Sequence, residues 1–263
     1  MKAYPCILCI GGLDPSGGAG IQADIETVSA LGGRALTLVT ALTAQDSHDI
    51  SAIQPVSPDF FSAQFELLMR DIRPDAIKIG LLGSTQLIPV VRDLLCGFEC
   101  PLVLDPVLAT GGGFDLDTDD LGRMMLEQLV PLTRLITPNR SEARRLGNHS
   151  DTDQAVRRLM QSGTDAILLT GADEATGDQV INQLFVGRAE AQSFSWPRLP
   201  HSYHGSGCTL ASSIAGLLAQ GMEPFSSIHE AQEYTWQTLA EGYRIGMGQY
   251  LPNRLFWARD EQD

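Results

Sequence analysis

The run His204-Gly205-Ser206-Gly207-Cys208-Thr209 combines small, flexible residues with a thiol and opens directly into the apolar-periodic stretch from Leu210 to Leu218. Glycines flanking a serine let several backbone N–H groups turn toward one point, and a following helix adds its positive N-terminal end there. The segment reads as an anion cradle. Cys208 falls in the first helical turn, where the helix end favours thiolate and is expected to lower the thiol pKa from about 8.5. A cysteine so placed suits a base or a nucleophile. The plainer alternative is a loop-to-helix turn holding a small buried thiol.

A second glycine-rich run, Gly11-Gly12-Leu13-Asp14-Pro15-Ser16-Gly17-Gly18-Ala19-Gly20, follows the first predicted strand. In an open α/β sheet that position lies at the carboxyl edge, where ligands collect. No Gly-Lys-[Ser/Thr] follows, so this is not a Walker A loop, and it fits the dinucleotide fingerprint poorly. A tight turn capped by Asp14 or Ser16 accounts for the same residues. Two later strand ends carry Asp105-Pro106-Val107, followed by Thr110-Gly111-Gly112-Gly113, and Thr137-Pro138-Asn139-Arg140-Ser141-Glu142. If the sheet is parallel, Asp105, Asn139 and Glu142 converge on one rim. Hard oxygen donors there suit Mg²⁺, which keeps several waters and uses few protein ligands. Helix capping by Asn139, with Glu142 on the first turn, is the competing account.

Buried strands of a largely parallel sheet are expected at Ile7 to Ile10, Leu36 to Leu42, Ala76 to Ile79, Leu102 to Leu104, Leu135-Ile136 and Ala166 to Leu169. Helices alternate with them. Gly20 to Leu31 places Ile21, Ile25, Val28 and Leu31 on one face, Pro58 to Met69 repeats Phe61, Phe65 and Leu68, and Thr85 to Leu95 is similar. This alternation predicts helices on both faces of the sheet. Asn182 to Val186 and Ala191 to Trp196 flank Gly187-Arg188 as an antiparallel hairpin at the sheet edge. Helices over about Cys208 to Ala219 and Pro224 to Met247 follow, then a polar tail. With no internal repeat or long linker, residues 1–263 are expected to form a single domain.

Composition narrows the function. The formal net charge is −14, from 32 acidic and 18 basic residues, and no block of Lys or Arg occurs. Binding to nucleic acid is therefore not expected, because that affinity comes mainly from cations on phosphates. An acidic chain that binds anions must use local dipoles and metal ions. No apolar run approaches the ~20 residues of a membrane span, and no secretory leader is recognisable, so a cytoplasmic location is expected. The five cysteines, Cys6, Cys9, Cys96, Cys100 and Cys208, read as reduced thiols rather than zinc ligands.

Taken jointly, the motifs resemble one family. Gly12 to Asp24, Thr40-Ala41-Leu42-Thr43-Ala44-Gln45, Lys78-Ile79-Gly80, Asp105-Pro106-Val107, Thr137-Pro138-Asn139 with Glu142, and His204 to Thr209 recur in the order and spacing of the hydroxymethylpyrimidine/phosphomethylpyrimidine kinases of thiamine biosynthesis. The likeness runs from about residue 7 to residue 247. It implies a ribokinase-like three-layer α/β/α fold with a mainly parallel central sheet, a homodimer, and ATP with Mg²⁺. The implied reaction moves the ATP γ-phosphoryl to 4-amino-5-hydroxymethyl-2-methylpyrimidine, then a second onto the monophosphate.

The implied substrate residues are Gly12, Asp14, Gly18, Gly20, Gln45, Gly80 and Val107, with the Gln45 carboxamide matching an aminopyrimidine edge. Gly205, Ser206 and Gly207 would hold the migrating phosphoryl, and Asn139, Thr170, Gly205 and Gly207 the nucleotide. Asp105, Asn139 and Glu142 would position Mg²⁺ directly or through water. Cys208 stands where sugar-kinase relatives carry an aspartate base.

Two positions depart from the family pattern. Leu13 replaces a small hydroxyl residue, and Leu169-Thr170-Gly171-Ala172-Asp173 replaces a strand end that typically reads Lys-Gly-Gly-His. Thr170 cannot offset nucleotide charge; Arg140, beside Asn139, is one substitute, and a solvated place in the first helical turn is its equal alternative. Other readings are a pyridoxal-type kinase, a pyrimidine-binding protein that has lost phosphoryl transfer, and, least favoured, a cysteine hydrolase in which His204 activates Cys208. The remaining histidines, His48, His149, His201 and His229, read as surface residues.

Overall fold

The computed structural model describes residues 4–109, 113, 120–174, 177–187, 189 and 191–258. Thr110-Gly111-Gly112, singled out above, and Arg188 of the hairpin turn lie outside them. Strands β1 (Cys6–Leu13), β2 (Arg34–Gln45), β3 (Ile50–Pro55), β4 (Ala76–Ile79), β5 (Leu102–Leu104), β6 (Leu135–Ile136), β7 (Ala166–Leu169), β8 (Gln179–Val186) and β9 (Gln192–Pro197) form one sheet. Its order is β3-β2-β1-β4-β5-β6-β7-β8-β9. The segment from β2 to β7 is parallel, while β3, β8 and β9 pair antiparallel. The β8–β9 hairpin is the one the sequence predicts. Strand β3, at the opposite edge, was not anticipated.

Alternate residues of the parallel strands face opposite layers. Leu8, Ile10, Ile77, Ile79, Leu102, Leu104 and Ile136 pack with α2 (Pro58–Asp71), α3 (Leu87–Leu95), α4 (Leu121–Gln128), α5 (Arg140–Leu146) and α6 (Thr152–Gln161). Ile7, Cys9, Ala76, Val103, Leu135 and Leu168 pack with α1 (Gly20–Ala30), α7 (Ser206–Ala219) and α8 (Pro224–Ala240). The fold is thus three-layered α/β/α. Strands covered on both faces read as continuous apolar runs, which is why all the parallel strands were legible.

Two helix expectations need correction. In α1, Ile25 is 41% exposed, because the buried face runs through Ile21, Asp24, Thr27 and Val28. The last helix stops at Ala240 rather than continuing to Met247. Gly242, Gly246 and Gly248 follow, and the Gly248 backbone lies so close to Ser47 that a Cβ would sit 2.1 Å from the Ser47 carbonyl oxygen. The chain then bridges Tyr243 to Leu251 and Tyr203 to Tyr250, and the expected polar tail from Leu251 to Arg254 is buried.

Candidate active site

The parallel strand ends and the two glycine-rich turns meet at one edge of the sheet. Helix α7 starts from Gly205, which has φ 86° and supplies no side-chain cap. Helices α1, α3 and α4 likewise lack a side-chain cap, whereas α2, α5, α6 and α8 are capped by Ser57, Asn139, Asp151 and Glu223. The first-turn N–H groups of α7 are therefore left for an incoming acceptor, as an anion cradle requires.

The two glycine runs fit against each other. A Cβ on Gly205 would lie 1.9 Å from the Gly18 carbonyl oxygen, and one on Gly18 would lie 2.4 Å from the His204 ring. Gly20, with φ 59°, approaches Gly12 so closely that its Cβ would lie 2.3 Å from the Gly12 oxygen. Glycine at these positions is a condition of contact between the loops.

Asp14 organises the first turn. Its carboxylate, 2% exposed, accepts from the Ser16 N–H (2.8 Å), the Ser16 hydroxyl (3.0 Å) and the Ala19 N–H (2.7 Å). His204 Nε2 lies 2.9 Å away. Burial alone would raise the pKa of this carboxyl. Hydrogen bonds from His204, Ser16, Gln45 and Ala19 outweigh burial and hold it well below the usual carboxylate range. Gln45, at the end of β2, is thus tied to Asp14. His204 serves Asp14 rather than Cys208, which removes the geometry a cysteine hydrolase needs.

A carboxyl with a depressed pKa favours the folded state above its unfolded pKa, about 3.9, and loses that contribution as pH falls toward the folded value. Denaturant titrations from about pH 6 to about pH 3 should show the wild type losing stability more steeply than Asp14→Asn. Parallel pH profiles would contradict this account of Asp14.

The cysteine differs from the sequence expectation. Burial pushes the Cys208 thiol up to about 11; Lys78 and the Gly20 N–H act the other way, while Asp105 and Asp24 add to the rise. The helix end is outweighed by burial and by neighbouring carboxylates. The thiol is hydrogen-bonded to Asp105, whose own carboxyl is raised to about 6 by burial and Asp24 against the opposing pull of Lys78. Asp105 also touches the cradle, since a Cβ on Gly207 would lie 3.7 Å from both its oxygens.

Beneath this pair lies an ion pair that sequence reading missed. Lys78 Nζ is 2.8 Å from Asp24 Oδ1, with the side chains 1% and 0% exposed. Ser212 of α7 donates to the same oxygen at 2.6 Å. Burial disfavours a charged lysine, yet Asp24, Cys208 and Asp105 hold its pKa above the ordinary range. A Cβ on Gly80 would lie 2.8 Å from Nζ, so glycine leaves room for the ammonium.

Asn139 and Glu142 form a capping box. The Asn139 carboxamide accepts from the Glu142 N–H at 2.8 Å, and Glu142 Oε2 accepts from the Asn139 N–H at 2.9 Å. The helix-capping account of these residues therefore holds. Burial first, then the Asp105 charge, raise Glu142 to about 8, so these two carboxyls face a common region. Among the described residues no group of three or more His, Cys, Asp or Glu side chains is close enough to cage a metal. Buried carboxyls that repel each other nonetheless suit a mostly hydrated Mg²⁺, which needs only one or two.

On the far side of the cradle, Thr170, Ser206 and Gly207 line a cleft of about 390 Å³. Thr170 bridges Asn139, and its N–H donates to the Pro138 carbonyl at 2.9 Å. Arg140 is not free to replace a lysine, because Nε pairs with Glu174 at 3.0 Å and a terminal nitrogen donates to Gln183 at 3.2 Å. Among the described residues, Arg198 brings a guanidinium to this cleft, held by the carbonyls of Glu174 and Gly177 at 2.6 and 3.1 Å. Of the remaining candidates, Gly12 packs toward Leu81, and the Val107 N–H donates to the Asp105 carbonyl at 2.9 Å.

A sheet edge built in this way serves phosphoryl transfer to a small acceptor, and the protein is a kinase of that class. The Phosphomethylpyrimidine kinase family model matches residues 14–253, and the chain belongs to that family. It is 37% identical over 263 residues to the thiamine biosynthesis bifunctional protein ThiED of Geobacter sulfurreducens, covering 98% of this chain and 54% of that protein. It is 34% identical to the hydroxymethylpyrimidine/phosphomethylpyrimidine kinase of Escherichia coli, covering 92% of this chain and 93% of the relative. The pyridoxal kinase of Staphylococcus aureus in complex with ADP superposes with a TM-score of 0.88 at 25% identity, covering 99% of this chain and 97% of that one. No helix among the described residues is long and apolar enough to cross a membrane.

Proposed function

We propose that this chain phosphorylates the hydroxymethyl group of 4-amino-5-hydroxymethyl-2-methylpyrimidine with ATP and then phosphorylates the resulting monophosphate, in thiamine biosynthesis. The observation carrying this reading is the hydrogen-bonded line from Gln45 through Asp14 to His204, which leads from a pyrimidine-reading carboxamide into the phosphoryl cradle. Gln45 would read the aminopyrimidine edge, oriented by Asp14. Gly12, Gly18, Gly20, Gly80 and Val107 would line the acceptor side. The N–H groups of Gly205, Ser206 and Gly207 would receive the migrating phosphoryl, with Thr170 and Asn139 on the nucleotide side. Such preorganised donors are worth about 3–4 kcal/mol each in other enzymes.

Asp105, Glu142 and Asn139 would position Mg²⁺ through water, Asp105 keeping its hydrogen bond to the Cys208 thiol and the other two their capping box. When bound, the ion would neutralise charge on the transferring phosphates. Cys208 meets the acceptor as a neutral thiol. It would take the hydroxymethyl proton as the phosphoryl arrives and pass its own proton to Asp105, to which it is hydrogen-bonded. A phosphate monoester is already anionic and needs no such help. Cys208→Ala is therefore expected to slow the first transfer by about 10²-fold or more and the second far less, measured by single-step assays with each acceptor. Equal losses in both steps would contradict the base role.

Turnover with ATP, Mg²⁺ and the pyrimidine, with mono- and diphosphate products resolved, tests the assignment. Pyrimidine binding without turnover would replace it with a binding protein. The pyridoxal kinase superposition supports running pyridoxal beside the pyrimidine as the competing acceptor. The continuous nine-stranded sheet supports reading the chain as one domain. The family supports a cytoplasmic homodimer, which sedimentation would test.

A further inference from the structure

Arg254 lies at the end of the buried C-terminal segment, just beyond the residues matched by the family model, and the proposed reaction leaves it unused. It is 2% exposed in a chain of net charge −14. Its guanidinium reaches three elements. Nε donates to the Thr209 hydroxyl at 3.0 Å, one terminal nitrogen donates to Glu26 at 3.0 Å, and the other donates to the Gly18 carbonyl. Its own carbonyl accepts from the Tyr234 hydroxyl at 2.9 Å, which fixes the backbone from which the side chain extends.

Those partners belong to the reaction's two halves. Gly18 lies in the turn assigned to the pyrimidine. Thr209 stands immediately behind the cradle, and its hydroxyl donates to the Gly205 carbonyl at 2.8 Å. A Cβ on Gly205 would lie 2.9 Å from Arg254 Nη2, so the guanidinium sits where the two loops meet. The Asp14–His204 contact crosses the same seam. A planar guanidinium holds several acceptors at fixed angles, which an ammonium on a flexible stem cannot do. Glu26 is half-exposed, so its bond orients the fork more than it stabilises the fold.

We infer that Arg254 is a positioning residue that latches the acceptor loop to the phosphoryl cradle, so that filling one side tightens binding at the other. The inference rests on the assignment of pyrimidine and nucleotide to these loops. Linkage makes the effect reciprocal, so it can be read from either ligand.

The test is calorimetric titration of the wild-type chain with a non-hydrolysable ATP analogue, with and without saturating hydroxymethylpyrimidine. The expected wild-type result is nucleotide binding tightened about fivefold or more by the pyrimidine. In Arg254→Ala that factor should fall to within about twofold of unity, and Arg254→Lys, with fewer donors, should give an intermediate factor. If the alanine variant fails to fold, Arg254→Lys and Glu26→Gln carry the comparison. A wild-type factor of one, or an unchanged factor in a variant that merely melts earlier, would overturn the latch. Wild-type turnover of the pyrimidine in the same preparation separates that failure from a wrong acceptor. A chain that binds nucleotide but no pyrimidine would overturn both.

Discussion

Gly205→Ala is expected to lower kcat/KM for both phosphoryl transfers by about 10²-fold or more, the scale of losing a preorganised oxyanion donor. The new methyl group would sit 1.9 Å from the Gly18 carbonyl oxygen, on a residue already at φ 86°. Backbone rather than a flexible side chain blocks it, so the glycine turns must separate or the start of α7 must rotate. Either movement spoils the cradle and the acceptor side together. Gly17→Ala provides the contrast: φ is 77°, but nothing lies within 4 Å of the added carbon. That variant should show only the ~1 kcal/mol cost of a left-handed non-glycine residue and near-normal kinetics. Steady-state rates for the two variants decide the matter, and comparable losses would mean that backbone conformation, not loop contact, is limiting.

Lys78→Met should be the most destabilising of the single substitutions considered. It leaves Asp24 charged, 0% exposed and paired only with Ser212 through Oδ1, while Oδ2 has no hydrogen-bond partner. Removing one member of a buried ion pair typically costs about 3–5 kcal/mol. At roughly 2–4 °C per kcal/mol, melting should fall by roughly 6–20 °C. Adding Asp24→Asn removes the stranded charge and should recover much of the melting temperature. Activity should not recover with it, because the ammonium also acts on Cys208 and Asp105. A double variant with wild-type rates would make the pair purely structural; a single variant with an unchanged melting curve would contradict the energetics.

The fate of individual residues shows what a linear sequence can disclose. Glycine runs, strand ends and the capping box carry their signals within a few neighbouring residues, and the structure joins them as the spacing implied. Strand β3 buries only Ile50 of its six residues and ends in proline, so only its pairing with β2 identifies it. Lys78 and Asp24 were visible within motifs, but their partnership spans 54 residues and has no local signature. His204 likewise meets Asp14 across 190 residues rather than Cys208 nearby. The direction assigned to the Cys208 pKa failed for a related reason. A helix end can be read locally, whereas burial against Asp105 and Asp24 is a tertiary fact.

The bond between Arg254 and Gly18 joins residues 236 apart. Contacts of such long sequence separation are the slowest for a folding chain to make. The central parallel strands can assemble while this seam is still open, but catalytic competence waits for the last segment to dock. During refolding, secondary structure should therefore return before turnover does, and a nascent chain should gain kinase activity only once Arg254 has emerged and docked.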